Sequence, residues 1–201
     1  MPPACPRPPL LVVACLVTAL LLGPAVRAQT GFVNWETPHV HPLELTPGGG
    51  LLLAVNTTDA RLEVFDTTGG TLTPVGSVPV GLDPVSVRAR SDTEAWVVNH
   101  VSDSVSVVDL VTLRVSATLP TADEPADVVF AGRPQRAFVS CSQANRVLVF
   151  DPAALAQAPL VIPLDVEDPR AMAVSPDGQS VYVATFESGN GSTVLGGGST
   201  M

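Results

Sequence analysis

The chain has 201 residues, enough for one ordinary domain or two small ones, with 10 basic residues (all arginine) against 19 acidic ones and a formal charge of −9. That acidity excludes a phosphate-backbone binder, which needs a basic footprint. At 46% hydrophobic and 14% charged the chain can bury a core, which excludes general disorder, and its 16 Gly and 20 Pro suit many short elements separated by turns.

Residues 1–28 read as a secretory signal peptide. Arg7 gives the basic start, Leu10 to Leu22 (LLVVACLVTALLL) is an apolar run, Gly23-Pro24 breaks any helix, and Val26-Arg27-Ala28 fits cleavage after Ala28. The apolar run, at ~1.5 Å per residue, reaches about 20 Å against a hydrocarbon core of about 30 Å. An uncleaved anchor is the alternative. A lipoprotein reading at Cys15 is weaker, because few apolar residues precede that cysteine and the run continues past it. Cleavage removes Arg7 and Arg27 and no acid, taking the charge from −9 to −11. It also leaves Cys141 alone, so no intramolecular disulfide is expected in an oxidising compartment. No second run is long enough to span a bilayer. The expected product is exported, to the periplasm or the cell surface.

From residue 41 onward the chain repeats itself. His41-Pro42, Asp83-Pro84, Glu124-Pro125 and Asp168-Pro169 recur every 41 to 44 residues, and each opens a short alternating segment: Leu43 to Leu45, Val85 to Val87, Ala126 to Val128, Arg170 to Met172. Turn clusters follow, as in Thr46-Pro47-Gly48-Gly49-Gly50 and Ser175-Pro176-Asp177-Gly178, where Pro pre-sets φ and Gly supplies positive φ. A second segment ends at Asn56, Asn99, Cys141 and Thr185 in turn. It aligns the large residues Leu53, Trp96, Phe138 and Tyr182 in one column, predicted to be buried, and Ala54, Val97, Val139 and Val183 in the next. A third segment (RLEVFD, SVSVVD, RVLVFD) alternates with period 2 and ends at Asp66, Asp109 and Asp151. A fourth ends in Val78-Pro79, Leu119-Pro120 and Ile162-Pro163, which suits an edge strand because proline cannot donate to a ladder.

Four strands per unit at this period predict an all-β fold, a β-propeller of four-stranded antiparallel blades. Units fall at about 41–82, 83–123 and 124–168, with a fourth at 169–201 that loses register after Thr185. Segments Ala95 to Asn99 followed by Ser102 to Asp109, and Ser175 to Thr185, resemble the YVTN-type β-propeller repeat over residues 41 to 195. The resemblance implies an exported propeller, often of seven blades, and no particular activity. Three units and part of a fourth do not close a ring, so the sequence is expected to be part of a longer reading frame, or to self-associate. In the N-terminal segment 29–40, Gly31 to Glu36 (GFVNWE) offers an outer strand that would complete the last blade of a closed ring.

No residue is assigned a catalytic, cofactor-binding or metal-binding role. Asp66, Asp109 and Asp151 recur once per unit, too far apart to share one ion, and read as turn residues accepting backbone N–H bonds, as do Asn56 and Asn99. Asn56-Thr57-Thr58 and Asn190-Gly191-Ser192 fit a glycosylation acceptor, against which stands a composition of bacterial type. His39 and His41 are spaced to share a strand face, but no third ligand accompanies them, and His100 lies elsewhere in the repeat. Gly191 to Gly196 imitates a phosphate loop but has Gly197 and Gly198 where Lys and Ser/Thr are required. The chain holds no Cys-x-x-Cys-His, hence no c-type haem site, and Cys141 reads as a buried small residue. No cofactor is expected. The leading expectation is a non-catalytic binding or scaffold module for a protein or glycan partner, without nucleic acid. Two alternatives stay open: the propeller part of a larger haem-containing redox or lactonase-like enzyme whose active residues lie beyond residue 201, and a surface-layer or adhesive repeat protein.

Overall fold

A computed structural model describes residues 37–187, which form fourteen strands and, among the described residues, no helix. The 1–28 segment, GFVNWE, the Asn190 acceptor and the Gly191 to Gly196 stretch lie outside the described residues. Strands β1 (Leu43–Leu45), β2 (Leu51–Asn56), β3 (Arg61–Asp66) and β4 (Thr73–Pro79) form one antiparallel meander, blade 1. Blade 2 repeats it with β5 (Pro84–Ser91), β6 (Glu94–Asn99), β7 (Ser104–Asp109) and β8 (Arg114–Pro120). Blade 3 holds β9 (Pro125–Ala131), β10 (Arg136–Cys141), β11 (Arg146–Phe150) and β12 (Leu160–Pro163). β13 (Glu167–Val174) and β14 (Val181–Glu187) pair as the first half of blade 4. The β-propeller expectation holds: every sheet runs in chain order, and the strands ending in Pro79, Pro120 and Pro163 sit at sheet edges, where a missing N–H costs no ladder bond.

First strands of neighbouring blades adjoin. His41 bridges Ser86 in parallel, the amides of Val40 and His41 donate to the Val85 carbonyl, and the Val87 amide donates to the His41 carbonyl. The described end of the N-terminal segment, residues 37–40, therefore runs to the innermost strand of blade 2.

Alternation within each strand sends one column forward and the next back. Leu53 packs with Val87 and Val97 of blade 2, and Trp96 with Val139 and Phe150 of blade 3. Phe138 lies half-buried against Met172 and Val183 of blade 4. Tyr182 departs from the predicted buried column: it is 63% exposed, because among the described residues no sheet covers the far face of blade 4.

The turns between second and third strands end in the left-handed region at Ala60 (φ 53°), Asp103 (φ 46°) and Asn145 (φ 49°). Asp103 Oδ1 accepts the Glu124 amide and Asn145 Oδ1 the Asp168 amide, both at 3.0 Å, so in blades 2 and 3 this position ties the blade to the link entering the next. Ala60 has no side-chain acceptor and bears the conformational cost of the left-handed region without compensation. Ala60→Asn is expected to add about 1 kcal/mol by easing that cost and supplying an acceptor for the Asp83 amide. A rise in the urea midpoint at unchanged slope checks it.

Candidate functional site

The residue following each second strand is the nearest thing to a shared functional column. Thr57 Oγ1 donates to the Pro84 carbonyl at 2.8 Å, and His100 Nδ1 stands 2.9 Å from the Pro125 carbonyl, so both side chains clamp the proline that opens the next blade. Ser142, the third member, instead donates to the Glu124 carbonyl at 2.9 Å and approaches Glu124 Oε2 at 3.3 Å.

His100 is buried, and a carbonyl oxygen can only accept, so the proton of the neutral ring sits on Nδ1. Its lone pair is then on Nε2, which faces Glu124 Oε2 at 3.7 Å. Glu124 is half in solvent, and Ser142 fixes its carboxylate. The arrangement joins a base, an acid that would steady its protonated form, and a hydroxyl. It is not a nucleophilic triad, because the serine bonds the carboxylate rather than the imidazole.

Toward the inner strands lies a second polar cluster. The fully buried Asp127 accepts from Ser86 Oγ (2.7 Å) and Arg88 Nη2 (3.1 Å) of blade 2, from its neighbour Val128 N (2.9 Å) and from Met172 N (2.9 Å) of blade 4. Ser140 Oγ donates to the Arg170 carbonyl at 2.6 Å and accepts from Asp127 N. Every lone pair of this carboxylate is engaged, which makes it a joint between three blades.

The aspartates at the third-strand ends behave as turn residues. Asp66 Oδ1 accepts from the Thr68 hydroxyl and amide, Asp109 Oδ1 from the amides of Val111 and Thr112, and Asp151 Oδ1 from that of Ala153. The Thr68 hydroxyl and amide hold the Asp66 carboxyl below its usual range, and the Thr112 and Val111 amides do so for Asp109. Asn56 caps its own turn through Asp59, but Asn99 does not: it is buried and donates to Ser104 and Ser106. His39 and His41 take separate partners, Thr57 Oγ1 at 2.5 Å and Glu44 Oε2 at 2.6 Å, so their spacing does not assemble a shared site. Among the described residues no three His, Cys, Asp or Glu side chains converge as metal ligands. Cys141 is fully buried, and burial pushes its thiol up to about 11.

No curated protein matches the chain. Among solved structures, hydrazine synthase from Kuenenia stuttgartiensis superposes with a TM-score of 0.65 at 24% identity, over 76% of this chain and 45% of that one. A candidate 6-phosphogluconolactonase from Bacteroides uniformis gives 0.58 at 23% identity, over 71% and 49%. At this identity the likeness speaks for the fold alone, and the chain spans about half the length of either structure. A family model for the lactonase, 7-bladed β-propeller, matches residues 26–196. The repeat, the meandering blades and that match lead to one statement: the chain belongs to the lactonase 7-bladed β-propeller family.

Proposed function

We propose that this protein acts as an exported lactonase-type propeller, opening a cyclic ester with His100 as general base and Glu124 as the carboxylate that steadies the imidazolium. Family membership over residues 26–196 is the observation that carries the reading. Both structural neighbours bear enzyme names, which lends the scaffold expectation no support and accords with its lactonase-like alternative.

The chemistry follows from the tautomer. With Nδ1–H committed to the Pro125 carbonyl, Nε2 can take a proton from a water as the water oxygen bonds to the lactone carbonyl carbon. Glu124, 3.7 Å away, then faces a cation. When the ring C–O bond breaks, the same proton passes to the departing alkoxide, leaving a hydroxy acid and a neutral imidazole.

His100→Asn tests the assignment cleanly. Asparagine keeps an N–H near the position of Nδ1, preserving the clamp on Pro125, but has no basic nitrogen in place of Nε2. With δ-gluconolactone and γ-butyrolactone as substrates and proton release as the readout, kcat is expected to fall about 10²–10⁴-fold with little change in Tm. Absence of lactone turnover in the unmodified protein, or full kcat in a folded His100→Asn variant, would overturn the reading.

A further inference from the structure

Between blades 1 and 2 opens a groove of about 700 Å³, whose lining includes neither His100 nor Glu124. Its mouth is formed by Pro79, Ser102, Asp103, Thr118 and Pro120, and its floor by Ser104 and Ser106. The repeat itself shows why the space exists. In blade 2, Asn99 pairs with Ser104, and Ser106 pairs with both Val97 and Thr118. The same register positions of blade 3 hold Cys141 opposite Arg146, and Leu148 opposite Val139 and Val161. Leu148 and Cys141 are buried there and fill the seam between blades 2 and 3. Blade 2 thus carries the short Ser106 where blade 3 carries the buried Leu148, with Thr118 matching Val161 in volume, and the side-chain volume missing at Ser106 opens the groove.

The hydrogen bonding is also unfinished. Asn99 Nδ2 donates to Ser104 Oγ (3.2 Å) and Ser106 Oγ (3.0 Å), while Asn99 Oδ1 is buried without a partner. Ser106 Oγ, which accepts from Asn99, still has its own O–H to give, while Ser104 Oγ also shares a hydrogen bond with Ser102 Oγ at 3.1 Å. Gly81 covers this amide so closely that a Cβ there would stand 2.6 Å from Asn99 and 2.3 Å from Ser102 Oγ. Ser102 Oγ in turn accepts the Leu82 amide at 2.9 Å, which fixes the rim. The only charged group lining the groove is the carboxylate of Asp103, so an anionic ligand meets no counter-charge.

We propose that this groove is a binding site for a neutral sugar. Paired hydroxyls that both donate and accept match the vicinal hydroxyls of a pyranose, proline faces at the mouth give its C–H surface an apolar wall, and the volume admits one or two rings. The carboxylate at the rim selects against phosphorylated or acidic sugars.

The test is a chemical-shift titration of the ¹⁵N-labelled full chain with D-glucose and maltose, with glucose 6-phosphate as the charged comparison. Expected are saturable shifts at the amides of Gly81 and Ser102 to Ser106, with binding in the millimolar range (on the order of −4 kcal/mol), and at least about tenfold weaker binding of the phosphate ester. Ser106→Leu, the residue blade 3 places at this register, should fill the groove and abolish the shifts while the Gly132 and Gly178 amides of blades 3 and 4 keep their positions. Should Ser106→Leu fail to fold, Thr118→Val removes one hydroxyl at an exposed position and should weaken binding about threefold or more. No saturation by either neutral sugar, equal binding of glucose 6-phosphate, or undiminished binding in a folded variant would each overturn the proposal.

Discussion

Replacing Asp127 by alanine is expected to destabilise the folded chain by about 3–5 kcal/mol, the usual cost of removing one partner from a buried ion pair. The carboxylate is fully buried, while the Arg88 guanidinium it holds is about one-fifth exposed. Alanine would strand that guanidinium beside apolar strands and leave Ser86 Oγ and the amides of Val128 and Met172 without their acceptor. Since these donors come from blades 2, 3 and 4, the loss acts on three sheets together. Asp127→Asn keeps one acceptor oxygen but turns an N–H either toward Arg88 Nη2 and the Met172 amide or toward Ser86 Oγ and the Val128 amide, and should fall between wild type and alanine. The double change Arg88→Met with Asp127→Leu removes both charges and should recover most of the loss. Urea unfolding followed by circular dichroism gives the comparison through the midpoint at constant slope. A cost below about 1 kcal/mol for Asp127→Ala would mean that the network does not hold the blades.

Trp96→Ala should cost a similar amount, about 3–5 kcal/mol, by a different route. Its ring has no solvent exposure and meets Phe130 edge-on at 5.5 Å and Phe150 at 6.3 Å between ring centres. Indole Nε1 donates to Glu94 Oε1 at 2.9 Å, and Arg90 holds that carboxylate at 3.0 Å. Truncation leaves a cavity that backbone ladders on both sides prevent from collapsing. Trp96→Phe keeps the apolar body and loses the donor, so less than half of the cost is expected. If alanine and phenylalanine variants unfold at the same urea concentration, packing is not what Trp96 contributes.

Much of this architecture is legible because its period is long and its columns recur. The alignment of Leu53, Trp96 and Phe138 reads directly from spacing, and the turn role of Asp66, Asp109 and Asp151 follows from residue type and place. Tyr182 shows the limit: a column assigns a face, whereas burial depends on whether another sheet lies against that face. Asp127 shows it more sharply. In Ala126-Asp127-Val128 alternation marks it as the odd polar residue of an inner strand, and nothing local says that arginine and serine from the preceding blade will meet it. His100 was findable. It occupies the column of Thr57 and Ser142, one place after each second strand, so the repeat sets three polar side chains at one register. The groove between blades 1 and 2 is legible from the same repeat, as a register where Ser104 and Ser106 stand in place of the longer Arg61 and Glu63 of blade 1 and Arg146 and Leu148 of blade 3.

The forward-pointing column has a consequence for how such a chain can be copied and edited. Because Leu53 reaches into blade 2, Trp96 into blade 3 and Phe138 toward blade 4, each of these three seams is head-to-tail, with a plug on one blade and a socket on the next. A duplicated unit inherits both halves and joins its neighbours in the correct sense, so the topology permits growth by tandem copying. It resists shuffling, however. The socket of blade 3 has been shaped by Phe130 and Phe150 to an indole, and exchanging blades 2 and 3 would set a phenylalanine plug against the aliphatic socket beside the serines and aim Trp96 at a site lined by methionine and valine. Over time each seam becomes a private lock, and the repeats lose their interchangeability while the strands still look alike.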